Sequence, residues 1–342
     1  MDGMAAPVCT YLLPFRRNTV AGPEQQELRE YFDSLQGIGC EVLVVDGSPP
    51  EIFRENQKAW DGSCQHTAVD RRFGYLNDKV NGIHTGVERA TSDKIILADD
   101  DIRYTPGLVH TMVDLLDRFE AVRPQNFLQP LPWWAKMEAA RMLINRATLR
   151  AADYPGTCGF RRASMQRAGH YDGDVLFDNE EIIRHFAAHG ISLHYALDFF
   201  VSKRPPSFRK WMEQRPRQAY EDFGLRSKTA LFFALPPLLT ALPFLFSLRT
   251  VFICSAAMGA TAIGGALMGR ARGKAARFFP FTTCLFAPLW MLERTFSTYW
   301  ALYWRITKGG YPFGERVLNR GIGRDWIRGG RIASRTLRHQ LD

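Results

Sequence analysis

The chain has 342 residues, enough for one large or two modest domains, and carries a formal net charge of +9. A basic excess of this kind suits phosphorylated substrates, an anionic membrane surface or nucleic acid. The six cysteines (Cys9, Cys40, Cys64, Cys158, Cys254 and Cys284) include no CxxC pair and no metal-ligand spacing, which argues against a cysteine-based metal site and for a reduced, cytosol-facing catalytic part.

Cys9 to Leu13 predicts a first strand. Its apolar run is short and ends in Arg16-Arg17, so no cleavable signal peptide is expected. Pro23 to Gln36 predicts a helix with Leu28, Phe32 and Leu35 on one face. Glu41-Val-Leu-Val-Val45 reads as a second strand running into Asp46-Gly-Ser48. Lys79 to Ala90 reads as a further helix, and Lys94-Ile-Ile-Leu-Ala98 as the strand that stops at Asp99-Asp100-Asp101. This βαβ rhythm predicts an α/β fold with a mainly parallel sheet covered by helices on both faces.

In such sheets ligands bind at the carboxyl ends of the strands. Carboxylates at i and i+2 leave a strand on the same side, so Asp99 and Asp101 can together hold one Mg²⁺ or Mn²⁺ while phosphate oxygens fill its other positions. The plainer reading of the same acids is a turn that caps the next helix. Asp46 falls on the same edge, where a carboxylate can bond a nucleoside base or ribose and Gly47 lets backbone approach a ligand; an ordinary turn has the same sequence. Lys79 and Asn81, at a helix start before Gly82, suit diphosphate or base contacts, and equally a solvated helix terminus. His84, His185 and His189 read as ordinary polar residues, and Trp133-Trp134 as packing aromatics.

The composition changes near residue 229. From Thr229 to Gly269 the one charge is Arg249, and Thr229–Leu248 and Thr250–Gly269 are each long enough to span a bilayer. Gly259, Gly264 and Gly265 in the second permit close helix contact. Arg270, Arg272, Lys274 and Arg277 follow directly, so that end is expected to stay cytoplasmic, together with the N-terminal part. A third apolar run, Phe278 to Leu292, is broken by Pro280 and Pro288 and leads into the aromatic-rich Glu293 to Arg305. A re-entrant or interfacial arrangement is expected there, with a third span as the alternative, and the basic tail Arg316 to Arg338 is expected on anionic headgroups. These cations follow membrane segments rather than a recognition fold, so nucleic acid is not an expected partner. The expected organisation is a catalytic domain over 1–228, a transmembrane hairpin over 229–269 and a membrane-associated basic region over 270–342.

Taken in order, these segments resemble family 2 glycosyltransferases. The resemblance is carried by Asn77-Asp-Lys-Val-Asn-Gly-Ile-His-Thr-Gly86 and by Ser92-Asp-Lys-Ile-Ile-Leu-Ala-Asp-Asp-Asp-Ile102, whose acids are similar to a DxD motif. Gly156-Thr-Cys-Gly-Phe-Arg-Arg162 with Gly169-His-Tyr-Asp172 is similar to the acceptor-side loop, and Phe177-Asp-Asn-Glu-Glu-Ile-Ile-Arg184 stands at the acidic-pair motif. Gln214-Arg-Pro-Arg-Gln218 resembles QxxRW. The likeness covers roughly residues 7–225 and, more loosely, the hairpin arrangement of ceramide-glucosyltransferase-like bacterial enzymes.

The resemblance implies a GT-A fold, Rossmann-like, followed by C-terminal transmembrane helices, and it implies residue roles. Asp46 would contact the base or ribose, and Lys79 and Asn81 the nucleotide. Asp99 and Asp101 would hold Mg²⁺ or Mn²⁺, with Asp100 between them a solvated or capping acid. Gln214, Arg215 and Arg217 would bracket sugar nucleotide and acceptor, a guanidinium giving bidentate contacts to diphosphate. An inverting transfer needs a carboxylate to take the acceptor proton. The family pattern is Glu-Asp, whereas this chain has Asp178-Asn179, and an amide cannot accept that proton. Asp178 is the first choice of base and Glu181 the second, with Glu180 also in reach of the motif.

The resulting expectation is an inverting hexosyltransferase integral to the cell's inner membrane. It would move a hexose from a nucleotide sugar, UDP-hexose first, to a lipid or lipid-linked acceptor at the cytoplasmic face. A catalytically silent adaptor that binds nucleotide or lipid, and a polysaccharide synthase, are the alternatives.

Overall fold

The structure is a computed structural model and describes residues 6–19, 22–149, 151–152, 155–222, 226–313 and 316–321. The expected headgroup-binding tail falls outside these residues from 322 onward. Two compact units form, one from residues up to 124 together with 155–196, the other from 125–154 together with 197–321.

The chain begins β1 (Cys9–Phe15), α1 (Gly22–Gln36), β2 (Cys40–Asp46), α2 (Pro50–Ala59), β3 (Gln65–Ala68), α3 (Asp78–Arg89), β4 (Lys94–Ala98), β5 (Ile102–Arg103), α4 (Pro106–Arg118) and β6 (Ala121–Leu128). After α5 (Trp133–Thr148) come β7 (Thr157–Arg161), α6 (Arg162–Ala168), α7 (Asp178–Ala188) and β8 (Leu193–Lys203). The eight strands form one sheet in the order β3-β2-β1-β4-β7-β6-β8-β5. β3, β2, β1 and β4 run parallel as expected, whereas β7 is antiparallel to both β4 and β6.

Registry decides where the polar ends fall. Phe15 lies opposite Asp46 and Leu12 opposite Leu97, so the carboxyl ends of β1, β2 and β4 share one edge. Behind it, Leu12, Leu43, Ile83, Ile95 and Leu97 form a buried core with Phe160 and Phe186. Gly86 brings α3 hard onto β1, because a Cβ there would overlap the Leu12 side chain.

The second unit continues with α8 (Phe208–Asp222), α9 (Arg226–Leu245), α10 (Leu248–Ala271), α11 (Phe281–Cys284), α12 (Ala287–Lys308), β9 (Tyr311–Phe313) and β10 (Arg316–Leu318). α10 packs on α5 at Gly269, where a Cβ would overlap the Leu143 carbonyl. The contact is locked from both sides. The Arg146 guanidinium donates to the Arg272 carbonyl at 2.9 Å, and the Arg272 guanidinium donates to the Arg146 and Leu149 carbonyls at 2.6 and 2.7 Å.

Two spans are expected from composition, and by length and apolar character α10 is the one helix among the described residues able to cross a membrane. Its 24 residues reach about 36 Å, more than a hydrocarbon core of about 30 Å. The apolar part of α9, Thr229–Leu245, is shorter and contains Pro236, Pro237 and Pro243, each of which removes a helix donor.

Candidate active site

The acid-bearing edge of the first unit gathers around one ammonium group. Lys79 stands in the first turn of α3, whose cap is the Asn77 side chain accepting the Lys79 N–H at 3.2 Å. Asn77 is buried, and its amide donates to the Val175 carbonyl at 3.0 Å, which ties the start of α3 to the segment leading into α7. Lys79 Nζ then reaches three oxygens. Asp99 Oδ1 lies at 2.6 Å, Asp178 Oδ2 at 2.7 Å and Asn179 Oδ1 at 3.1 Å. Burial alone would lower the Lys79 pKa, but Asp178 and Asp99 hold it above its ordinary value. The structure therefore brings Lys79, Asp99 and Asp178 together from three separate elements.

The acids of the turn after β4 divide their work. The Asp99 backbone N–H donates to the Gly156 carbonyl at 2.9 Å, fixing the turn against the lead-in to β7. Asp100 pairs with Arg17, which also holds Glu24 at 2.7 Å. Arg17 carried no motif, and its role comes only from the fold. Asp99 and Asp101 remain as hard carboxylates at i and i+2, and a cation already rests on Asp99. That chemistry fits a divalent ion completed by phosphate oxygens. Among the described residues no three acids, histidines or cysteines form a complete metal cage, so such an ion would need ligands from its substrate.

The three acids of α7 are also separated by their partners. Asp178 faces Lys79. Glu180 is held by Arg184 at 3.1 Å and by the buried Arg123 at 3.5 Å. Glu181 lies buried on the same helix, one turn from Asp178. Asn179 places its amide oxygen on the same ammonium as Asp178.

Asp46 and Asn81 are engaged inside the protein. The Asp46 carboxylate has no solvent-exposed side-chain surface and accepts from Ser48 N at 2.8 Å, Asn56 Nδ2 at 2.8 Å and His66 Nε2 at 3.0 Å. Burial would raise its pKa, but these bonds from His66, Ser48 and Asn56 outweigh that and hold it below the ordinary carboxylate range. The Asn81 side chain closes a two-way bridge to the Tyr75 backbone at 2.9 and 3.0 Å. Both residues shape loops at this edge.

Gln214, Arg215 and Arg217 belong to α8 in the second unit. Gln214 and Arg217 are half-buried. Arg215 is 2% exposed, with its guanidinium on Glu138 at 3.2 Å and 4.4 Å from the Trp211 ring centroid. Burial would push the Glu138 carboxyl up, yet Arg141 and Arg215 hold it well below its usual range. Arg215 is thus spent on a buried ion pair, while Arg217 stands at the arginine position of the motif.

The histidines are more organised than their sequence positions suggest. His84 is buried on α3, its ring 4.5 Å from that of His170 and 4.8 Å from that of Tyr171. Burial first, and then His170, lowers its pKa to about 4. His185 Nε2 donates to the Gly169 carbonyl at 2.9 Å.

A strand-end acid pair, a helix-start lysine and a third acid from a distant helix thus meet at one edge of the first unit. Residues 21–171 match the family model described as Glycosyl transferase family 2. The protein is a glycosyltransferase. Among solved structures, a mannosyltransferase from Pyrobaculum calidifontis in complex with GDP-Man and Mn²⁺ is similar at 19% identity, covering 87% of this chain and 89% of that one with a TM-score of 0.48. Glucosyl-3-phosphoglycerate synthase from Mycobacterium tuberculosis, in complex with Mn²⁺, UDP and glucosyl-3-phosphoglycerate, is similar at 13% identity, covering 59% of this chain and 74% of that one with a TM-score of 0.40. No match is found among curated proteins.

Proposed function

We propose that the protein is an inverting, membrane-bound hexosyltransferase that takes a nucleotide sugar, UDP-hexose first, and glycosylates a lipid or lipid-linked acceptor at the cytoplasmic face of the membrane. The observation that carries the reading is the Lys79 ammonium held between Asp99 and Asp178. It joins a donor-side acid to an acid able to accept a proton. Asp178 takes the acceptor hydroxyl proton as that oxygen attacks the anomeric carbon, and the bond from that carbon to the diphosphate breaks on the opposite face. Lys79 offers its ammonium to the departing diphosphate. Asp99 and Asp101 would hold a Mg²⁺ or Mn²⁺ ion, which would supply Lewis-acid stabilisation to the same leaving group. Arg217, half-buried beside Arg215, is the guanidinium of α8 assigned to the substrate, and Arg215 keeps α8 in place through Glu138.

The membrane part of the reading is supported by α10, long and apolar enough to span, and by Arg270, Arg272, Lys274 and Arg277 at its end. A lipid acceptor is supported by the short chain distance from the α8 motif to these apolar helices.

The test is release of nucleoside diphosphate by detergent-solubilised protein from a panel of UDP- and GDP-sugars, with native lipid extract and with Mn²⁺ present or chelated. Metal- and lipid-dependent release from one donor is expected. Binding of nucleotide without release, for every donor, would replace the reading with a silent adaptor.

A further inference from the structure

α12 is built inside out. Leu289, Leu292, Phe296, Trp300, Tyr303 and Ile306 recur at three- and four-residue steps and are all exposed. The opposite face buries Arg294, Thr295, Ser297 and Thr298. The contrast is steep, with Arg294 2% exposed while Phe296 and Ile306 are 76% and 74% exposed. A helix on a water-facing surface shows the reverse pattern. The buried polar groups are bonded within the second unit. Arg294 Nη2 donates to Gln218 Oε1 at 3.4 Å, and the Thr295 and Thr298 hydroxyls donate to the Met291 and Arg294 carbonyls, each at 2.8 Å. Arg305 and Lys308 close the last turn, where an anionic headgroup layer suits them. An outward stripe of this kind marks contact with an apolar medium.

At Trp300 the stripe opens into a groove of about 570 Å³, walled by Phe208 and Met212 of α8, Trp300 and Trp304 of α12, and Tyr311 of β9. The rings form a continuous wall, with centroids 5.6 Å apart from Trp300 to Trp304 and 5.3 Å from Trp304 to Tyr311. Its charged lining, Arg209 with Glu213 at 3.3 Å, is an exposed pair at the rim. The volume is that of a small-molecule site. The walls, however, offer almost nothing to satisfy a polar ligand. A peptide segment laid there would bury backbone N–H and C=O groups without partners, at a cost that a hydrocarbon chain avoids.

We propose that this groove takes one hydrocarbon chain of a membrane lipid. On the reading of the function above, on which this part rests, that lipid is the acceptor. The chain would enter from the apolar medium along the α12 stripe and lie against Met212 and Trp304, while its polar head stays at the rim.

The test uses the full chain in dioleoylphosphatidylcholine vesicles containing a small fraction of phosphatidic acid with a diazirine at the end of one acyl chain. Irradiation is followed by mass-spectrometric mapping of adducts. Adducts on Met212, Trp304 or Tyr311 are expected to saturate with probe, whereas adducts on exposed Phe252 and Ile253 of α10 rise in proportion to it. Met212→Trp fills the groove and is expected to cut the groove adducts at least tenfold while leaving those on α10 unchanged. Met212→Phe, a smaller intrusion, is expected to give a partial loss. Adducts confined to α10 and the outer stripe of α12, or groove adducts that never saturate, would overturn the proposal. Nucleoside diphosphate release in the same vesicles separates the two readings. Saturable groove adducts with lipid-independent release retain the groove and remove the lipid acceptor; lipid-dependent release without groove adducts does the opposite.

Discussion

Lys79 Nζ lies 2.7 Å from Asp178 Oδ2, although the two residues start different helices almost a hundred positions apart. On the proposed function, this pair is what places Asp178, among the acids of the α7 start, to take the acceptor proton. Asp178→Asn keeps the shape of the site and removes the proton acceptor. Nucleoside diphosphate release is expected to fall about 10²- to 10⁴-fold, the usual worth of a positioned general base. Glu180→Gln, at an acid already held by Arg123 and Arg184, is expected to retain most turnover. Equal losses in the two variants would move the base away from Asp178.

Acid sensitivity is expected to run through His84. Its folded pKa of about 4 lies below the ordinary value of 6.5, so the unfolded chain binds the proton more readily between the two. Stability is therefore complete above about pH 6.5 and falls as pH drops towards 4, by about 3 kcal/mol at most for this group. His84→Leu should flatten that fall. Thermal melts of both proteins at pH 7 and pH 5 provide the comparison, with a smaller drop in melting temperature expected for the variant.

Glu138 and Arg215 should behave as a buried pair. Arg215→Ala removes one of the two arginines on Glu138, leaving Arg141 at 2.8 Å, and should cost about 1–3 kcal/mol, while Arg215→Lys should cost less. Removing both partners is expected to be milder than the sum of the single changes, with a coupling of about 0.5–3 kcal/mol in a denaturation cycle. Independent effects, or a loss seen only in the Michaelis constant for donor, would give Arg215 to the substrate instead.

The α5–α10 seam gives a steric prediction. Gly269→Ala forces a methyl group against the Leu143 carbonyl and should destabilise by about 1–3 kcal/mol, whereas Gly264→Ala, with open space at its Cβ, should be near neutral. Melting temperatures in one detergent decide the matter, and equal shifts would mean that the helices are not in backbone contact there.

Much of the site was legible because the chemistry sits where strands stop. The apolar runs before Asp46 and Asp99 place both residues at sheet ends, and β4 covers the expected Lys94–Ala98. Partners brought in from far along the chain leave no periodic trace. Arg17 on Asp100, Arg123 on Glu180 and Asn179 on Lys79 are products of the fold alone. The inward turn of Asp46 was hidden for a related reason, since its donors His66 and Asn56 lie on two later elements. The membrane segments show the opposite problem. Composition marks the whole stretch after residue 229, but the apolar helix within α9 is shorter than α10 and carries three internal prolines. The polarity of α12 could be read only once its buried face was known.

The reversal of β7 carries one more consequence. Its first residue, Thr157, pairs with Ala98, the last residue before the acidic turn, and the Gly156 carbonyl accepts the Asp99 N–H. The position of the acidic turn is therefore set by β7 as well as by β4, and a shift of β7 in register would carry Asp99 and Asp101 with it.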